Sequence, residues 1–186
     1  MARHPRAVVA ESLLSDPVAA PEAYRRMLLA ALGEDDPAEV LAEGPAAVRA
    51  LVGEAGERLR VRPEPAEWSV AECVAHLADS ELVVAGRYRW IVAEDEPEIV
   101  GYDQDLWVSR LAQIDDDPAT LIAVFAALRR WNLELWRSRP DSDRGRIGRH
   151  RERGPESFGL MFRLAAGHDR IHIAQARRTL ELARQR

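Results

Sequence analysis

Residues 165–176 read Ala165-Ala166-Gly167-His168-Asp169-Arg170-Ile171-His172-Ile173-Ala174-Gln175-Ala176. The run follows Gly154-Pro155 and carries apolar residues at helical spacing, with Phe158, Met161 and Ala165 ahead of the histidines and Thr179 after Gln175. This spacing predicts a long helix from about Glu156 to Ala183. His168 and His172 lie four residues apart, so on that helix they share one face, and the face is the apolar one. Buried polar groups need partners, and two neighbouring imidazoles repel each other if both are protonated. One metal ion would satisfy both. Two core histidines held by hydrogen bonds is the competing reading of the same spacing.

Three more long helices emerge upstream. Ser69 precedes Val70-Ala71-Glu72, a capping box, and a stripe of Val70, Val74, Leu77, Glu81, Val84, Tyr88 and Ile91 predicts a helix over 70–93. Asp117-Pro118 opens another, with Leu121, Phe125, Leu128, Asn132 and Leu135 on its stripe. Gly44-Pro45 predicts a break between a short turn at 38–43 and a helix from Pro45 to about Leu59. A shorter helix, Pro21 to Leu32, falls in an N-terminal arm of residues 1–37, leaving 38–186 as the bundle domain. No segment alternates with period two, so the expected class is all-α. The connections 94–116 and 139–154 are long, and about 23 residues are enough for the first to cross a bundle end to end and set its flanking helices parallel.

Composition removes many chemistries. All 26 basic residues are arginine, which excludes a Schiff-base lysine and a P-loop lysine. The single cysteine, Cys73, forbids an internal disulfide and points to a reducing, cytoplasmic setting. A small apolar core residue is the favoured reading of it over a soft metal ligand. Net charge of −5 argues against a nucleic-acid partner. No stretch is apolar enough to span a bilayer, and residues 1–24 lack a signal-peptide core, being broken by Glu11, Asp16 and Pro17.

His76, in the helix begun at Val70, adds a third imidazole beside Leu77. Three histidines from two helices match an open metal site with positions left for water or substrate. A polar edge residue capped by Asp79 or Glu72 is the alternative for His76. Glu81, Asn132 and Gln175 share the presumed core face, and Asp169 adjoins His168; each is a candidate to orient a ligand histidine or to make a structural hydrogen bond. Residues 137–153 hold seven arginines and His150 against three acids, a solvated loop or a rim that steers anions. The five tryptophans are read first as packing residues.

Two signatures carry a family resemblance. Trp68-Ser69-Val70-Ala71-Glu72 with His76-Leu77-Ala78-Asp79-Ser80-Glu81, and Gly154-Pro155-Glu156-Ser157-Phe158 with His168 through Gln175, resemble those of the DinB/YfiT-like metal-binding bundles. Tyr102-Asp103, Trp107 and Asn132 fit the same pattern, over about residues 38–183. The resemblance implies a four-helix bundle of up-down-down-up topology, often dimeric. It implies a divalent metal, zinc or nickel first, on His76, His168 and His172. It implies either a thiol S-transferase using bacillithiol, glutathione or mycothiol on a small electrophile, or a metal-dependent hydrolase, or a non-enzymatic metal-binding module linked to stress. No motif selects a particular thiol.

Overall fold

The computed structural model describes residues 19–111 and 113–186. The arm's first 18 residues, and most of the segment read for a signal-peptide core, lie outside them. Among the described residues are six α-helices: α1 Pro21–Leu32, α2 Pro37–Ala55, α3 Val70–Ala93, α4 Gln104–Arg110, α5 Pro118–Ser138 and α6 Phe158–Arg184. None is long and apolar enough to cross a membrane.

The caps form where local sequence put them. The Ser69 hydroxyl accepts from the Glu72 amide, and the Glu72 carboxylate accepts from the Ser69 amide at 2.8 Å, closing the box that starts α3. Arg62 pairs with the same carboxylate from outside. Asp117 caps α5 through the amides of Ala119 and Thr120. Ser157, not a residue before Glu156, caps α6 through the Leu160 amide at 3.1 Å.

Packing fixes the topology. One apolar cluster joins the first half of α3 (Val70 to Ala78) to the end of α2, the start of α5 at Phe125, and the far half of α6 at Ala176 and Leu180. The other joins the end of α3 (Tyr88, Ile91) to the start of α2 at Leu41, the end of α5 at Leu133, and the start of α6 at Phe158 and Phe162. Hence α3 and α5 run parallel while α2 and α6 run against them, the up-down-down-up order. Between the two clusters lies a polar layer, and the histidines sit in it.

Two expectations are corrected. The chain holds a small three-stranded sheet, β1 Glu98–Ile99, β2 Ile147–His150 and β3 Gly154–Ser157, with β1 parallel and β3 antiparallel to β2. It ties the two long connections together at one end of the bundle and takes up Glu156, which was expected to begin the last helix. The first connection also contains α4, whose Trp107 packs at a tilt against Tyr102 just ahead of the helix, ring centroids 4.7 Å apart. The second correction concerns α2, which runs unbroken from Pro37 to Ala55 through Gly44-Pro45. Pro45 has no amide to offer the Leu41 carbonyl. That carbonyl instead accepts from Arg129 Nη1 at 2.8 Å, so the break that proline normally forces is filled by a side chain of α5.

The arm's helix α1 lies along α6. A Cβ on Gly167 would collide with the Leu28 carbonyl oxygen, so only glycine allows this approach. Arg170 reaches across to donate to the carbonyls of Ala31 and Leu32 at 3.0 and 2.9 Å.

Candidate metal centre

Helix α3 delivers His76 and α6 delivers His168 and His172, a helical turn apart. All three are buried, with 1%, 8% and 1% of their surface exposed. Their ring centroids lie 4.3 to 5.0 Å from one another, and one ligand atom from each falls within 4.8 Å of the other two. His76 Nε2 faces His168 Nε2 at 3.1 Å. Two nitrogens bound to one ion at about 2.0–2.1 Å stand roughly 2.8–3.4 Å apart, from cis-octahedral to tetrahedral arrangements, so this spacing fits a shared cation.

Electrostatics favour the form a metal requires. Burial first, then the neighbouring rings of His172 and His168, hold His76 well below the usual imidazole range. Burial and His168 do the same to His172. Burial, with Arg129 and Arg153 nearby, lowers His168 to about 4. All three are therefore neutral ligands near pH 7. Gln175 Oε1 accepts from His172 Nδ1 at 2.8 Å, which fixes the tautomer and leaves Nε2 bare. Trp68 covers the cluster on one side, 5.1 Å from the His76 ring and 6.1 Å from that of His172.

The other polar core residues form a separate network. Arg129, 1% exposed, donates to Asp169 Oδ2 at 2.6 Å and to Glu81 Oε2 at 2.8 Å. Asn132 donates to the second Glu81 oxygen at 2.7 Å and accepts from Arg89 at 2.8 Å. Of the four residues expected to orient ligands, only Gln175 bonds to a histidine ring among the described residues. Glu81, Asn132 and Asp169 are drawn to Arg129, a residue sequence reasoning passed over. Its signal was present, since Arg129 falls between Phe125 and Asn132 on the apolar stripe at spacings of four and three. The edge caps considered for His76 are also occupied, Glu72 by Arg62 and Ser69, Asp79 by Gln113 at 2.5 Å. Cys73 is fully buried, and burial pushes its thiol far up.

His168 opens onto a cleft of about 100 Å³. Its apolar wall comes from Leu28, Val84, Met161 and Leu164, and its polar wall from Tyr24, Ser80, Arg87, Tyr102 and Arg153. Of the expected anion rim, only Arg153 lines this cleft; Arg149 and Arg151 pair with Glu96 and Glu98 on the outer face of the sheet.

Comparison with known proteins places this geometry. A model of the DinB superfamily matches residues 41–176. The chain belongs to the DinB superfamily. YfiT from Bacillus subtilis, described as "a probable metal-dependent hydrolase with an unusual four-helix bundle topology", shares this DinB fold with a TM-score of 0.71, at 23% identity over 88% of each chain. The Oceanobacillus iheyensis protein named "Putative metal-dependent hydrolase OB0782" is 29% identical over 107 residues, 58% of this chain and 62% of that protein. The chain thus spans less than two thirds of that curated relative.

Proposed function

We propose that this DinB-superfamily protein is a metal-dependent enzyme that holds one divalent cation on His76, His168 and His172 and acts on a small molecule admitted through the cleft. The convergence of three buried, neutral imidazoles carries this reading. Two relatives described as metal-dependent hydrolases agree with it. A cation bound there would supply Lewis acidity and would lower the pKa of a coordinated water or thiol. Zinc and nickel suit an all-imidazole set. The protein's own contribution is to keep the rings deprotonated, to fix His172 through Gln175, and to exclude bulk water with Trp68.

Within that class, S-transfer from a low-molecular-weight thiol is the reaction we favour over hydrolysis. General-base hydrolysis calls for a free carboxylate to take a proton from water, and Glu81 and Asp169, the acids of the polar layer beside the histidines, are both bound to Arg129. A thiol, with an ordinary pKa of about 8.5, becomes a nucleophile without such a base.

Metal analysis of untagged protein, with His172→Ala beside it, is the first test. About one equivalent of metal in the wild type and its loss in the variant are expected; equal contents would remove the centre. Turnover of 1-chloro-2,4-dinitrobenzene only with added thiol supports transfer, whereas thiol-independent ester cleavage abolished by His172→Ala selects hydrolysis.

A further inference from the structure

Arg87 on α3 is 7% exposed and lines the cleft that reaches His168. Among the described residues it makes one hydrogen bond, from Nη2 to the Val100 carbonyl at 2.8 Å, and its buried Nε has no partner. Among the described residues it has no ion pair. A guanidinium removed from water without a bonded counter-charge is costly, and Arg153 adds repulsion. Arg153 is already neutralised, with two bonds of 2.8 Å to Glu156. Among the described residues, then, no acid bonds to Arg87 on the wall of the cleft; Glu156 acts on it only through space and is itself bonded to Arg153.

The rest of the wall matches an acid. Burial raises the phenols of Tyr24 and Tyr102, so both stay protonated and able to donate. Apolar Leu28, Val84 and Met161 line the same space. Glu152 is the acidic residue among the described lining; it is exposed, and its carboxylate lies 3.4 Å from His150 Nδ1, a ring that is neutral near pH 7.

We infer that Arg87 is the anchor of a carboxylate subsite, and that the substrate is a small acid with a short apolar body whose reactive end is presented at His168. The inference deepens the proposed function and rests on it for what lies at the histidine end. Arg87 binds the carboxylate with its planar fork, and the tyrosines close over it. Binding the acid head selects the substrate and sets its orientation.

Hexanoate and its neutral isostere hexanamide, titrated calorimetrically into the full chain, test this. A charged hydrogen-bonded pair contributes about 1.5–3 kcal/mol, or roughly ten- to a hundred-fold in Kd. Hexanoate should bind at least about tenfold more tightly than hexanamide. Arg87→Gln should erase that preference at unchanged metal content, and Arg87→Lys, which keeps the charge but loses the fork, should retain part of it. Equal binding of the two probes by the wild type overturns the subsite, and that comparison needs no variant. Hexanoate affinity that is unaffected in Arg87→Gln but lost in His172→Ala along with the metal also overturns it, while leaving the metal reading intact. Hexanoate preference in wild-type protein that never takes up metal does the reverse, sinking the metal reading and keeping the subsite.

Discussion

Arg129 compensates two buried carboxylates, Glu81 and Asp169, and fills the carbonyl left open at Leu41. Removing it strands both acids in the core. Arg129→Met should therefore cost about 3–5 kcal/mol in urea unfolding. A loss below about 1 kcal/mol would contradict the network. Adding Glu81→Gln and Asp169→Asn should recover much of the deficit, because neutral amides tolerate the loss of their cation. His150 makes a pH prediction. It is buried in β2 with Nε2 unpartnered, and burial, then Arg153 and Arg87, lowers it to about 4. The unfolded chain protonates this ring near pH 6.5 and the folded chain only near 4. In between, the unfolded state binds more protons, so stability is lost as pH falls from 6.5 towards 4. His168 adds to the same slope. Each such ring contributes up to about 1.4 kcal/mol per pH unit. A Tm-against-pH series on metal-free protein should show this loss, and His150→Gln should flatten it.

At the scale of elements, legibility followed distance along the chain. The Ser69 box, the Asp117 cap and the apolar stripes involve residues within a turn or two, so they were readable. Gly44-Pro45 misled because a proline's cost is local, whereas Arg129, which offsets it, lies 88 residues away from Leu41. The sheet escaped notice because strands of two and four residues are too short to display alternation. The histidine triad was legible from spacing and resemblance together. Arg153 was legible as one arginine of a basic loop but not as the one at the cleft, and Arg87 was not legible at all, since only the fold brings α1, α3 and the sheet to His168. Two glycines test the helix contacts. A Cβ at Gly44 would stand 2.9 Å from Arg129 Nη1 and 3.0 Å from Asp169 Oδ2, so Gly44→Ala should cost about 1–3 kcal/mol by overpacking. Gly167→Ala should push α1 off α6. Limited proteolysis should then cut within residues 19–37 faster than in the wild type while the bundle core stays protected; an unchanged digestion pattern would mean that α1 docks in some other way.

For the whole molecule, the apolar clusters on either side of the polar layer each draw on α2, α3, α5 and α6. Neither depends on a cation. Chelation should therefore lower Tm by an amount set by the metal affinity, yet leave the helical circular dichroism signal in place. Collapse of that signal on chelation would recast the site as a structural staple. One further consequence follows from the way α1 rests on α6. Arg170 grips carbonyls 138 and 139 residues earlier in the chain, and His76 waits 92 residues for His168. During synthesis the early helices emerge long before their partner exists. The cleft has no Leu28 wall and the cation no complete cage until α6 has cleared the ribosome. Contacts of such long range form slowly, so nascent chains stalled before residue 158 should neither retain metal nor protect α1, and maturation of this site must wait for α6.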